Sequence, residues 1–244
     1  MRKTALYIQG RIIIGDSHLE AYRKLTFIEQ ESDDLVSGFF DQDTEEFCAD
    51  CEKDHFFNKE IILIRHAETA DPDHPDPELS ENGIEQAHRI AASLSEFSLD
   101  EFSGLSSPML RCLQTANVLS ETLGKKFKIE PKLAESPSFL PKDENFCIKN
   151  RRDVFPEFLW ESSEDFLIKQ ESSREFADRT LAVLQSMPSK TIVITHFGLI
   201  CNMVRLALCD DRANSVADRG IPLASVTYIN KETLKCLGNH AEQY

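Results

Sequence analysis

Two short runs, the four apolar residues Ile61–Ile64 and the stretch Thr191–Ile194 with three apolar residues after its threonine, stand out in a chain patterned mostly at helical or alternating spacing. Both are too short for an ordinary helix and rich in β-branched residues, which predicts strands of a parallel sheet covered on both faces. Each then stops on polar residues: the first on Arg65 and His66, the second on Thr195 and His196. Open α/β sheets bind ligands at the carboxyl ends of their strands. As parallel neighbours, the two strands would aim both imidazoles into one crevice.

The rest of the pattern alternates strands and helices. Ser80 is a candidate N-cap for a helix whose apolar positions Ile84, Ala87, Ile90, Ala91 and Leu94 share one face and are expected in the core. A strand over Phe102–Ser106 leads to Pro108 and a helix carrying Leu110, Leu113, Ala116, Val118 and Leu119, with Arg111 in its first turn. Phe127–Pro131 is a weak strand leading to Leu133, Ala134 and Glu135. Residues 136–171 have no clean period, and three prolines (Pro137, Pro141, Pro156) predict an excursion with one short helix. Ser172 and Glu175 form a capping box for a helix that Pro188 stops. Leu199–Leu208 is helical, and Val226–Ile229 with Leu234–Leu237 predicts a closing hairpin. Alternating strands and helices predict an α/β fold, a mostly parallel sheet with helices on both faces.

Residues 1–58 differ in character. Thr4–Ile14 reads as a hairpin about Gln9-Gly10, and a short helix comes after it. Glu29–Asp54 holds eleven acidic residues and one basic residue, Lys53. Its interleaved aromatic residues predict a small acidic α+β module and not a disordered tail. The division is therefore 1–58 and 59–244. The module is a candidate for docking a protein partner, covering the crevice or self-association, and the pattern does not choose.

A formal net charge of −15 argues against non-specific binding to nucleic acid or to an anionic membrane. No apolar run approaches membrane-spanning length, and the N-terminal stretch lacks the continuous apolar region of a signal peptide. Seven scattered cysteines do not make a disulfide framework, so a reducing, cytoplasmic setting is expected. Cys48, Cys51 and His55 have the spacing of half a zinc site, but no clear second cysteine pair accompanies them. Lys149, Arg151 and Arg152 in the excursion are expected to form a solvated charged face.

Two strand-end histidines and two motif-placed arginines propose an oxyanion site. A phosphoryl group suits it, because its transfer needs non-bridging oxygens held and neutralised, and arginine presents a fork of donors matched to them. The motif order is specific: Arg65-His66-Ala67-Glu68-Thr69, Leu79-Ser80-Glu81-Asn82-Gly83 with Gln86-Ala87, Ser106-Ser107-Pro108-Met109-Leu110-Arg111 with Gln114-Thr115-Ala116, Leu133-Ala134-Glu135, and Thr195-His196-Phe197-Gly198. In this order the chain resembles the histidine phosphatase superfamily, also called phosphoglycerate-mutase-like, from about Ile61 to about Ile229.

The resemblance implies that His66 is the nucleophile that becomes phosphohistidine, neutral at the attacking nitrogen, with its other nitrogen donating to a backbone carbonyl. Arg65, Arg111 and His196 would clamp the phosphate, and Glu135 would be the proton donor. No metal or other cofactor is implied, since the clamp's three potential positive charges would take magnesium's part. Cofactor-dependent mutases carry a Trp-Asn pair shortly after the nucleophile motif, where this chain has Asp71-Pro72. The short excursion also favours an open site accessible to water. Bacterial phosphohistidine phosphatases are similar in catalytic size but lack the usual acid, so Glu135 points to a phosphomonoester with a poorer leaving group. The expected activity is that of a phosphatase acting on a phosphorylated small molecule or protein. The alternatives are a phosphoglycerate-type phosphomutase and a pseudophosphatase that binds phosphorylated partners.

Overall fold

The structure, a computed structural model, describes residues 4–8, 11–15, 59–136, 145–208, 221–230 and 233–239. Strands β1 (Thr4–Ile8) and β2 (Arg11–Gly15) pair antiparallel, as expected for the two arms of the N-terminal hairpin; the Gln9-Gly10 turn lies outside the described residues. The remainder of the acidic module lies outside the described residues, as do Cys48, Cys51 and His55 of the half zinc site.

Six further strands make the central sheet: β3 (Glu60–Arg65), β4 (Ser103–Ser106), β5 (Phe127–Ile129), β8 (Lys190–Thr195), β9 (Ser225–Asn230) and β10 (Thr233–Asn239). Their spatial order is β10-β9-β3-β8-β4-β5. β3, β8, β4 and β5 run parallel, and β9 closes antiparallel against both β3 and β10. The two strands that end in histidine are thus direct neighbours, with Arg65 opposite Thr195 in the ladder. Helices α1 (Glu81–Leu94), α2 (Leu110–Leu123), α3 (Ser173–Ser186) and α4 (Phe197–Leu208) complete the α/β fold.

Alternation along β3 explains why its whole apolar run is buried. Ile61 and Leu63 face a core with Leu184 of α3 and with Leu199 and Met203 of α4, whereas Ile62 and Ile64 face one with Ile90 of α1 and Leu113 of α2. Successive strand residues point to opposite faces, so only a sheet covered on both sides accepts four apolar residues in a row. Truncating the fully buried Leu63 to alanine would cost about 3 kcal/mol.

Three helix signals form as expected. Ser80 Oγ accepts from Gly83 N, Ser172 and Glu175 complete the capping box, and α3 ends at Ser186 with Met187 as its C-cap, just before Pro188. One core assignment is corrected: Ile84 is 43% exposed. The inward face of α1's first turn carries Gly83 and Gln86 instead, because the Glu68 backbone lies against it and Glu68 N donates to Gln86 Oε1 at 2.9 Å.

The excursion is also corrected. Where one short helix was expected, its described part is a hairpin of β6 (Asn145–Ile148) and β7 (Phe166–Lys169). Alternate side chains, Phe146, Ile148, Phe166 and Ile168, pack on Met109 and Ala134. Between the strands, Phe155, Phe158 and Trp160 join the core, and Leu159 bonds to the edge strand β5 through backbone groups. Among the described residues no helix is long and apolar enough to cross a membrane.

Candidate active site

β3 delivers Arg65 and His66 to the carboxyl edge of the sheet, and β8 delivers Thr195 and His196 beside them. The two imidazole centroids lie 5.3 Å apart. His66 Nδ1 is 2.9 Å from the carbonyl oxygen of Ala67, which can only accept, so Nδ1 carries the proton. Nε2 therefore presents its lone pair, and Arg111 Nε donates to it at 3.2 Å. Burial holds the His66 pKa well below its usual value, with the Arg111 and Arg65 cations acting in the same direction. The ring is thus a neutral base whose Nε2 lone pair faces the Arg111 guanidinium.

Arg111 is buried at the start of α2, and its Nη1 and Nη2 reach Pro75 O (3.5 Å) and Met109 Sδ (3.4 Å). Arg65 Nη1 donates to Ile221 O at 2.7 Å, its guanidinium lies 5.0 Å over the Phe197 ring, and its buried Nε has no partner among the described residues. His196 is fully buried, with Nε2 2.8 Å from Ser107 Oγ. Burial first, then Arg111, His66 and Arg65, push its pKa well below the usual range. Arg65, Arg111 and His196 thus bring two cations and a neutral imidazole to this edge, not three positive charges.

The η1 turn (Pro131–Leu133) brings Glu135 to the same edge. Its Oε1 accepts from Ser136 N at 3.0 Å and its Oε2 from Gly198 N at 3.2 Å, in the first turn of α4. A side chain at Gly198 would put its Cβ 2.8 Å from Glu135 Oε1, so only glycine leaves room for this carboxylate. Desolvation raises the Glu135 pKa against the opposing pull of the two N–H donors and of Arg111 and Arg65. A carboxyl that holds its proton longer than usual suits an acid catalyst. All five residues singled out from the sequence, Arg65, His66, Arg111, Glu135 and His196, are brought together at this edge. Glu68, the acid of the first motif, is taken up by Ser80 Oγ (2.6 Å) and Asn82 Nδ2 (2.9 Å).

Several supporting residues were part of the motif strings without an assigned task. Thr115 Oγ1 accepts from Ala67 N and donates to Arg111 O, tying the loop after β3 to α2. Gln114 Oε1 accepts from Leu79 N. Arg151 is a correction: it is not on a solvated face but pairs at 2.9 Å with the buried Asp76, whose other oxygen accepts from Leu110 N. Nothing in sequence spacing could reveal that pair, which spans two loops.

Residues 61–236 match the family model described as histidine phosphatase superfamily, branch 1. The chain belongs to this superfamily. No curated protein matches it significantly. Among solved structures, it is similar to phosphoserine phosphatase from Entamoeba histolytica in complex with 3-phosphoglyceric acid, at 18% identity and TM-score 0.50, covering 75% of this chain and 99% of that one. A mycobacterial glucosyl-3-phosphoglycerate phosphatase is 20% identical with TM-score 0.49, over 73% of this chain and 95% of that one. The SixA protein of Agrobacterium tumefaciens, described as a putative phosphohistidine phosphatase, is 16% identical with TM-score 0.45, over 70% and 91%. These likenesses concern the fold.

Proposed function

We propose that this superfamily member is a metal-independent phosphatase that hydrolyses a phosphomonoester of a small molecule or protein through a phosphohistidine at His66, with residues 59–244 as its catalytic domain. The carrying observation is the tautomer of His66: Nδ1–H is committed to Ala67 O, which leaves Nε2 as the base facing Arg111. In the first step Nε2 attacks phosphorus, the Arg111 contact giving way to the incoming group. The bond to the leaving oxygen breaks, and Glu135 transfers its proton to that oxygen. Arg65, Arg111 and His196 hold the non-bridging oxygens, supplying the charge stabilisation on which phosphoryl transfer depends. In the second step the Glu135 carboxylate takes a proton from water, the water oxygen attacks phosphorus, and Nε2 leaves with inorganic phosphate as the other product.

The Entamoeba neighbour is itself a phosphatase, which accords with hydrolysis. The test is product partition with a panel of phosphorylated metabolites and peptides. Phosphate released to water should exceed any transfer between hydroxyls of phosphoglycerate. Faster transfer would make the protein a mutase, and tight binding of phosphorylated ligands without turnover would make it a binder.

A further inference from the structure

Three successive carbonyls leading to Glu135 are each held by a side chain from elsewhere in the fold. Arg179 Nη1 on α3 donates to Lys132 O at 2.5 Å and to Ala134 O at 2.8 Å. Thr195 Oγ1, next to His196, donates to Leu133 O at 2.7 Å. This segment has no ladder of its own, since β5 ends at Ile129 and the single turn η1 ends at Leu133. Beyond its own turn bonds and the burial of Leu133 and Ala134, these side-chain bonds are what tie its carbonyls to α3 and β8.

Arg179 is itself fixed on its remaining edge. Its Nε donates to Glu171 Oε2 at 2.9 Å, its Nη2 pairs with Glu171 Oε1, and its guanidinium lies 5.0 Å over the Phe176 ring. The same ring reaches to 3.6 Å from where a Cβ on Gly198 would stand, and Gly198 N is one of the two donors to the Glu135 carboxylate. The arginine thus meets the acid's supports twice, through the carbonyl of the preceding residue and through the phenyl ring against Gly198.

We propose that Arg179, locked by Glu171, is a positioning residue for the proton donor: it sets the segment that carries Glu135 at the distance from the leaving oxygen that proton transfer requires. The assignment rests on Glu135 being that donor. A planar fork is what the task needs, because one side chain must serve two carbonyls and a carboxylate in fixed directions. A lysine ammonium supplies charge and a point donor, and holds only part of this arrangement.

The test compares two esters on one preparation of the full-length protein: glycerol phosphate, whose alkoxide must be protonated on leaving, and nitrophenyl phosphate, whose phenolate leaves unaided. The ratio of their kcat/KM values does not depend on how much of the preparation is folded. Arg179→Met should lower the alkyl-to-aryl ratio by about tenfold or more, the scale expected when a catalytic group is displaced by a fraction of an ångström. Arg179→Lys should fall between Met and wild type, and Glu171→Gln should shift the ratio in the same direction by less. A merely structural arginine would lower both esters alike, and an unchanged ratio in Arg179→Met overturns the proposal. Should Arg179→Met yield no folded protein, Arg179→Lys decides on the same ratio, where a wild-type value overturns it. Glu135→Gln, run in parallel, separates the two assignments. If it lowers the ratio and the Arg179 variants do not, only the positioning role fails. If it leaves the ratio unchanged, the proton donor lies elsewhere and both fail.

Discussion

Gly198→Ala isolates the geometry of the acid from the stability of the fold. The new Cβ would lie 2.8 Å from Glu135 Oε1, against the 3.4 Å at which ordinary contact begins, so a shift of 0.6 Å is demanded. The obstructing atom is the far end of a side chain, and the carboxylate will move before the backbone does. Gly198 stands in the first turn of α4, and its φ is not among the positive values, which among the described glycines occur only at Gly124. Alanine therefore fits the backbone, and its better helix propensity, up to about 1 kcal/mol, offsets the crowding. A displacement of this size in a catalytic group costs on the order of tenfold to a hundredfold in rate. The expected result is a melting temperature near that of the wild type, with kcat/KM for an alkyl phosphate reduced by that factor and an aryl phosphate affected less. The assay is steady-state hydrolysis of the two ester classes beside a thermal melt. Wild-type activity on both esters in a normally folded Gly198→Ala protein would refute the assignment of Glu135.

Gly83→Ala should behave oppositely, because its Cβ would meet the backbone carbonyl oxygen of Glu68 at 2.1 Å and nothing there can swing aside. Overpacking of this kind should destabilise by about 3 kcal/mol, read by denaturant unfolding, and a variant as stable as the parent would contradict the close approach. Stability should also fall on acidification, since His66 and His196 titrate far below their ordinary value of 6.5 in the fold. The unfolded chain then binds more protons as pH drops through 6.5, so the stability these groups give above it is lost, about 2 kcal/mol between neutrality and about pH 5.5. Glu135 works in the other sense, its raised pKa favouring the fold at low pH and losing that contribution as pH rises through the folded value. Unfolding curves across this range should show the loss, and His196→Gln should flatten it; a wild-type slope in that variant would contradict the neutral buried ring.

The meeting of His66 and His196 at one sheet edge was legible in the sequence because each follows a strong local signal. A four-residue β-branched run can only be a doubly covered strand, and the residues at its carboxyl end reach the sheet's edge, so His66 and His196 needed no long-range information. Ser80, Ser172 and Glu175 were equally readable, since capping is settled within four residues. Ile84 misled because α1 turns part of its expected apolar face toward the Glu68 backbone, and a glycine and a glutamine serve there better than a large side chain. The excursion misled because its strands bury only alternate residues against Met109 and Ala134, leaving a pattern too sparse to separate from a loop. The Arg151–Asp76 pair lay beyond reach for a different reason: a charged residue's sequence neighbourhood says nothing of which distant loop will bury it.

The most direct measurement of the central claim is a rapid quench of turnover with mapping of the phosphorylated residue, chelator being present throughout. The account predicts one base-stable, acid-labile phosphate on His66, absent from His66→Ala and formed at an undiminished rate without metal. Full activity in His66→Ala, or turnover abolished by the chelator, would contradict it.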